Sequence, residues 1–269
     1  MRGPAAQNVS AGTLRNGVVL RTIQRTAMVR LHVNVDHVAT VRQARRESFP
    51  DPMEWALRAE RAGAQGITCH LRKDRRHMQD ADIVALRRSI RTLLNLECSL
   101  DDEMVAIARK SGAEAFCLVP ETRAEVTTEG GLDVRAEARR VARVTRELAA
   151  EGGAVSLFID ADREQIAAAS DSGAPFIELH TGCYANTQGD ARMRELERLA
   201  AGTAFALERG LRVNAGHGLD YRNVAPVAGI AGVEELNIGF AIVAHSLFVG
   251  VDAAIGEMLA AIATGSRAR

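Results

Sequence analysis

The stretch Ile67 to His77, I-T-C-H-L-R-K-D-R-R-H, ends a short apolar run in a dense cluster of titratable groups. In an extended chain successive side chains alternate in direction, so Thr68, His70 and Arg72 share one face. The imidazole and the first guanidinium then enter the same space. Arg75, Arg76 and His77 add positive charge in the loop that follows. Guanidinium presents a planar fork of donors to paired oxygens, so the chemistry this allows is proton transfer beside a bound phosphate or carboxylate. Lys73, Asp74 and Arg75 fit a solvated charged loop equally well. His70 and Arg72, on a strand that faces a core, need a functional reason.

Groups of this kind recur at the ends of short apolar runs. Asn34, Asp36 and His37 end the first, His70 and Arg72 the second, Asn95 and Glu97 the third, and Asp160 the fifth. Glu178 and His180 end the sixth, Asn214 and His217 the seventh, and Asn237 with Gly239 the eighth. His70, Glu97, His180 and His217 are acid and base candidates, since imidazole exchanges protons near neutral pH and desolvation raises a carboxylate's pKa. His180 with Glu178 also reads as a structural pair. His32 and His245 read as packing or surface residues.

The elements that would position these groups alternate throughout. Apolar or β-branched runs fall at Leu31 to Asp36, Gly66 to Leu71, Leu93 to Cys98, Ala115 to Val119, Val155 to Asp160, Phe176 to His180, Arg212 to Ala215 and Glu235 to Ile238. Helical patterns lie between them at Pro52 to Ala62, Asp80 to Thr92, Asp101 to Ser111, Val134 to Glu151, Asp162 to Ser172, Asp190 to Arg209, Tyr221 to Ala228 and Ala241 to Ala263. Several helices start at Asp and stop at glycine, as at Gly63, Gly112, Gly173 and Gly210. Such a repeat over residues 31–269 predicts one (β/α)8 TIM barrel with additional helices, a fold of about 250 residues whose catalytic groups sit at the carboxyl ends of the strands. A doubly wound sheet is the alternative, but no G-x-G-x-x-G follows the first strand.

Residues 1–30 stand apart, with five arginines and no acidic residue before Asp36. They read as an upstream extension, with Met28 as an alternative start, although an arginine-rich, acid-free beginning also resembles a transit peptide.

Composition excludes several classes. With 47% apolar residues, zero formal net charge and few aromatics, the chain gives no sign of nucleic-acid binding. No window approaches the ~20 apolar residues of a membrane span. Cys69, Cys98, Cys117 and Cys183 lack C-x-x-C spacing and read as reduced, mostly core residues of a cytosolic protein. Lys73 and Lys110 are the only lysines, one in a loop and one in a helical pattern, so a lysine Schiff base is not expected.

Two glycine-bearing loops follow the seventh and eighth strands, Ala215-Gly216-His217-Gly218 and Asn237-Ile238-Gly239-Phe240. Barrels often bind phosphate there through backbone amides. With Arg72 and Arg45 elsewhere on the rim, two anion sites are expected. The long loop Glu121 to Leu132, with Thr127, Thr128 and paired glycines, reads as a lid. A metal site ranks lower, because Asn34-x-Asp36 replaces an H-x-H pattern and the eighth strand ends without a carboxylate.

The runs N-V-D-H-V-A-T-V-R-Q-A-R from Asn34, G-I-T-C-H-L-R-K-D-R-R-H from Gly66, V-P-E-T-R-A-E-V-T-T-E-G-G-L-D from Val119, E-L-H-T-G-C-Y-A from Glu178, V-N-A-G-H-G-L from Val213 and E-L-N-I-G from Glu235, with N-L-E at Asn95 and S-L-F-I-D-A-D at Ser156, closely resemble pyridoxine 5'-phosphate synthase. The resemblance implies condensation of 3-amino-2-oxopropyl phosphate with 1-deoxy-D-xylulose 5-phosphate, a homo-octamer built from dimers, and no cofactor. It makes His70 and Glu97 proton acceptors and His217 the proton donor. Asn34 and Arg45 would hold the aminoketone phosphate. Asp36, His37, Arg72, His77 and Thr127 would hold the deoxyxylulose phosphate, with Gly218, Gly239 and Phe240 on the side of the last strands. Phe240 departs from the family's usual His. A metal-dependent barrel hydrolase and a catalytically silent phosphate-ligand binder are the competing expectations.

Overall fold

The computed structural model describes residues 28–121 and 130–267. Its eight strands are β1 Arg30–Asn34, β2 Gly66–His70, β3 Leu93–Cys98, β4 Ala115–Leu118, β5 Ala154–Ile159, β6 Phe176–His180, β7 Arg212–Gly216 and β8 Val233–Ile238. Each pairs in parallel with the next, and β8 closes on β1. Around them lie α1 Asp36–Gln43, α2 Pro52–Arg61, α3 Asp80–Ser89, α4 Asp102–Ser111, α5 Ala138–Ala150, α6 Arg163–Asp171, α7 Gly182–Asn186, α8 Gly189–Glu208, α9 Val224–Ala228, α10 Phe240–Val249 and α11 Val251–Ser266. The barrel and its additional helices are as the sequence predicts. Among the described residues no helix is long and apolar enough to cross a membrane. The N-terminal extension lies outside the described residues up to position 27, as do Thr127 and most of the loop read as a lid.

Strand alternation divides the core in two. Leu31, Val33, Ile67, Leu94, Leu96 and Val213 are buried and point outward under the helices, where apolar burial is favourable at roughly 25 cal/mol per Å². The intervening positions point inward and are largely polar: His32, Thr68, Asn95, Glu178, Asn214, Glu235 and Asn237 are all buried. Lower in the barrel Asn214 Nδ2 donates to Glu235 Oε1 at 3.3 Å and Arg30 Nη2 to Glu235 Oε2 at 3.3 Å. His32 Nδ1 lies 3.0 Å from Glu235 Oε1, out of line for a hydrogen bond. Burial pushes Glu235 up to about 7 and His32 down to about 3, the Arg30 charge adding to the depression of His32. Gly66 is required opposite His32, because a Cβ there would lie 2.4 Å from the imidazole.

Several boundaries differ from the sequence reading. The first strand ends at Asn34, and Asp36 and His37 belong to the first turn of α1, because Asn34 Oδ1 accepts from the Asp36 amide at 2.8 Å and turns the chain. The helix read over 241–263 is two helices, broken where Gly250 takes φ 83°. The helix read from Val134 starts at Ala138. The one read from Tyr221 starts at Val224, since the Asp220 carboxylate accepts from the amides of Arg222 at 2.8 Å and Asn223 at 3.0 Å. Cys183, expected with the core cysteines, is exposed on α7. Arg42, unnoticed in the sequence, is buried and donates two hydrogen bonds to Asp82, at 2.7 and 2.6 Å, pinning α1 to α3.

Candidate active site

A cavity of about 670 Å³ opens at the carboxyl ends of the strands. Its walls bring together Asn34, Asp36, His37, His70, Arg72, His77, Glu97, His217, Gly218, Gly239 and Phe240, residues drawn from five strands and their loops. Glu178 lines it as well. Arg45 does not: it is exposed on the turn beyond α1. Asn95 and Asn214 lie below the cavity, Asn95 donating to Thr68 Oγ1 at 3.4 Å and Asn214 to Glu235. On the rim Lys73, Arg75 and Arg76 pair with Asp101, Asp80 and Asp74.

The floor is a carboxyl pair bridged by an amide. Asn237 Nδ2 donates to Glu97 Oε1 at 3.0 Å and reaches Glu178 Oε2 at 3.4 Å. Burial lifts Glu97 well above the carboxylate range, the charges of Asp36 and Glu178 adding to it. Burial likewise lifts Glu178 to about 8, with Glu235 adding. At neutral pH this pair therefore retains protons that it can give or exchange.

Asp36 ties the first two strands together. It accepts from the His70 amide at 2.8 Å and from Asn34 Nδ2 at 3.0 Å, while burial raises it to about 6. Burial lowers His70 to about 3, with the charges of His77 and Arg72 acting in the same direction. His70 is thus a neutral imidazole at physiological pH, able to accept a proton. Burial, then Arg72, lowers His77 to about 4, and its ring lies 6.2 Å from that of His70.

Across the cavity His217 has φ 80°, an uncommon conformation for a residue with a side chain. The end of β6 holds it there. Thr181 Oγ1 sits 2.7 Å from the Gly216 carbonyl and 2.5 Å from that of His217. The His180 ring lies 5.2 Å from the His217 ring, and His180 Nδ1 is 2.9 Å from Asp160 Oδ1. The pairing of His180 with Glu178 read from sequence is replaced by this one, because Glu178 turns to Asn237. Burial, then His180 and His37, lowers His217 to about 4.

The two glycine loops come together where Gly216 pairs with Asn237 across β7 and β8. Phe240 opens α10, and its ring meets that of His37 at 5.2 Å. A second cavity of about 670 Å³ shares His217, Gly218, Gly239 and Phe240 and runs outward past Tyr221 and Arg222.

Asp36, His70 and Glu97 each bring a donor atom within 4.8 Å of the others, a juxtaposition absent from the sequence reading. Hydrogen bonds already engage these carboxyl groups: both Asp36 oxygens accept from protein N–H groups and Glu97 Oε1 accepts from Asn237. From the sequence Glu121 reads only as the start of a lid. Its Oε1 accepts from the Lys73 amide at 2.9 Å, and its Oε2 faces His70. The rule that found Glu97, a carboxylate ending a strand, also applies to Glu121 after β4.

A closed parallel barrel with acid and base groups gathered at the carboxyl ends of its strands defines a (β/α)8-barrel enzyme. Residues 31–264 match the family described as Pyridoxal phosphate biosynthesis protein PdxJ, and the chain belongs to that family. Solved structures share the fold at low identity. Phosphoribosyl anthranilate isomerase from Thermus thermophilus is 14% identical, covers 88% of this chain and 99% of its own, and superposes with TM-score 0.55. A 3-hexulose-6-phosphate synthase is 17% identical, covers 87% and 99%, and has TM-score 0.58.

Proposed function

We propose that this chain is a pyridoxine 5'-phosphate synthase. It condenses 3-amino-2-oxopropyl phosphate with 1-deoxy-D-xylulose 5-phosphate to give pyridoxine 5'-phosphate, inorganic phosphate and water. The observation that carries this reading is the convergence of His70, Glu97 and His217 on one cavity with Arg72 at one side and the glycine loops at the other. That arrangement suits a substrate pair with two phosphates and protons to be moved between them.

The substrate supplies the amine that condenses with the ketone, so no protein lysine is needed. His70, uncharged at neutral pH, takes protons from carbon or nitrogen. Glu97 is the second proton acceptor that the resemblance implies; burial favours its protonated form, so it takes a proton only after giving its own to a leaving oxygen. His217, neutral in the empty site, serves as donor on the far wall once it has taken up a proton released by the substrates. General acid and base help of this kind is worth about 10²- to 10⁴-fold per group. Arg72 and the amides of Gly218, Gly239 and Phe240 hold the phosphates, and no metal takes part.

We place the reaction in the cytosol, in a homo-oligomer for which the resemblance implies an octamer. Adjacent Leu247 and Phe248 are exposed at the end of α10, which supports burial of that helix end in an assembly.

The test is to mix chelator-treated protein with both substrates and follow inorganic phosphate together with the pyridoxine phosphate chromophore. Coupled appearance of both is expected; intact binding without either product would favour a silent binder. A metal-dependent hydrolase is the second reading, favoured by the closeness of Asp36, His70 and Glu97. Activity lost to chelator and restored by zinc or manganese would favour it instead.

A further inference from the structure

His70 Nε2 and Glu121 Oε2 face each other at 3.9 Å, and both are buried without a hydrogen-bond partner among the described residues. A buried polar atom left unpaired destabilises the fold, so two of them facing each other call for a function. Glu121 is anchored for one. Its Oε1 is tied to the Lys73 amide at 2.9 Å, which fixes the carboxylate and directs Oε2 at the ring. His70 meanwhile lines the cavity. A ring whose Nε2 is sealed against Glu121 has Nδ1 to offer the substrate.

We infer that Glu121 is the positioning residue of His70: it accepts a hydrogen bond from Nε2–H, fixes the imidazole as the Nε2–H tautomer, and leaves the Nδ1 lone pair facing substrate. The inference rests on the reading of His70 as a proton acceptor. Catalytic hydrogen bonds are often long in a ligand-free site and tighten when the complex forms, and at 3.9 Å the carboxylate charge already favours a proton on Nε2 before substrate arrives. A carboxylate behind an imidazole selects the tautomer and stabilises the imidazolium formed when the other nitrogen takes a proton. No bond to Glu121 forms or breaks; the proton passes from substrate carbon or nitrogen to Nδ1 and later leaves from it. Asp36, Glu97 and His77 face the same ring from the cavity, and Arg72, Asp74 and Arg76 from the rim of β2, but Glu121 is the group opposite Nε2.

The test uses the full chain labelled with 15N-histidine, with His70 assigned by comparison with His70→Asn. The unaltered protein is expected to carry its His70 proton on Nε2, with Nδ1 bare. Glu121→Gln keeps the shape but offers an amide that can donate, so that tautomer should lose population. In the coupled synthase assay its kcat should fall about 10- to 100-fold, the loss typical of a removed supporting partner, with KM little changed. Glu121→Asp, which still accepts, should restore part of both. A proton found on Nδ1 in the unaltered protein, or a tautomer unmoved by Glu121→Gln, would overturn the inference. Absence of turnover in the unaltered protein counts against the synthase reading alone, and the tautomer, which needs neither substrate, then decides this one.

Discussion

His180 and His217 stand edge to face with ring centres 5.2 Å apart, and Asp160 holds the far side of His180 at 2.9 Å. The carboxylate, the first imidazole and the second form a row that ends at the cavity. His217→Ala should bind substrate yet lose at least ~10²-fold in turnover, as expected for a lost general acid. Asp160→Asn, acting through His180, should cost about 10-fold in kcat and leave KM almost unchanged. Steady-state kinetics on the two variants checks both.

Arg72 faces the cavity at its cationic side. A charge-assisted hydrogen bond contributes about 1.5–3 kcal/mol, so Arg72→Ala should weaken binding of a phosphorylated substrate about 10- to 100-fold. Titration calorimetry with 1-deoxy-D-xylulose 5-phosphate reads this directly, and unchanged affinity would count against a phosphate at Arg72.

Glu178 links the site to stability. Its pKa is raised from 4.5 to about 8 by burial, so the folded protein binds a proton there that the unfolded chain has released. The associated stability is fully present below pH 4.5 and is lost as pH rises through about 8. Glu178→Gln mimics the protonated form and removes that dependence. Its melting temperature should fall less than that of the parent between about pH 5 and about pH 9, as measured by thermal unfolding at each pH.

The Arg42–Asp82 pair is buried and bidentate, at 2.7 and 2.6 Å. Removing one partner strands the other charge, which costs about 3–5 kcal/mol. Asp82→Ala should therefore lower the melting temperature on the order of 10 °C. Calorimetry checks the loss. Because Arg42 Nη2 also reaches the His77 carbonyl at 3.3 Å, the same variant should loosen the loop that carries His77.

Phe240 is 67% exposed at the cavity mouth, and its ring rests against His37. If the position works through its backbone amide, Phe240→His should leave kcat/KM unchanged. A large gain on that substitution would assign the imidazole a role that this chain lacks.

Much of this was legible in the chain because local physics dictated it. Period-two alternation placed Thr68, His70 and Arg72 on one face, and all three are buried on the interior side. Helix stops at Gly112 and Gly210 appear with φ 72° and 79°. What sequence did not reveal depends on contacts between distant segments. Asp36 reads as the end of a strand until the Asn34 side chain is seen turning the chain into α1. Arg42 looks like one more surface arginine until Asp82, forty residues away, is found beside it. Glu121 becomes significant only when β2 and β4 bring it opposite His70, and Arg45, which motif resemblance assigns to a phosphate, lies off the cavity within a single chain.

The division of each strand between an outward apolar row and an inward polar row separates two kinds of heritable failure. A codon-by-codon scan along β2 or β8 should read like a ruler with two alternating marks. Changes at Ile67, Cys69, Leu236 or Ile238 should remove the protein from the cell, while changes at His70 or Asn237 should leave it abundant and idle. Folding and chemistry can then drift under partly separate selection, joined at inward carboxyls such as Glu178, although they occupy adjacent letters of the same short words.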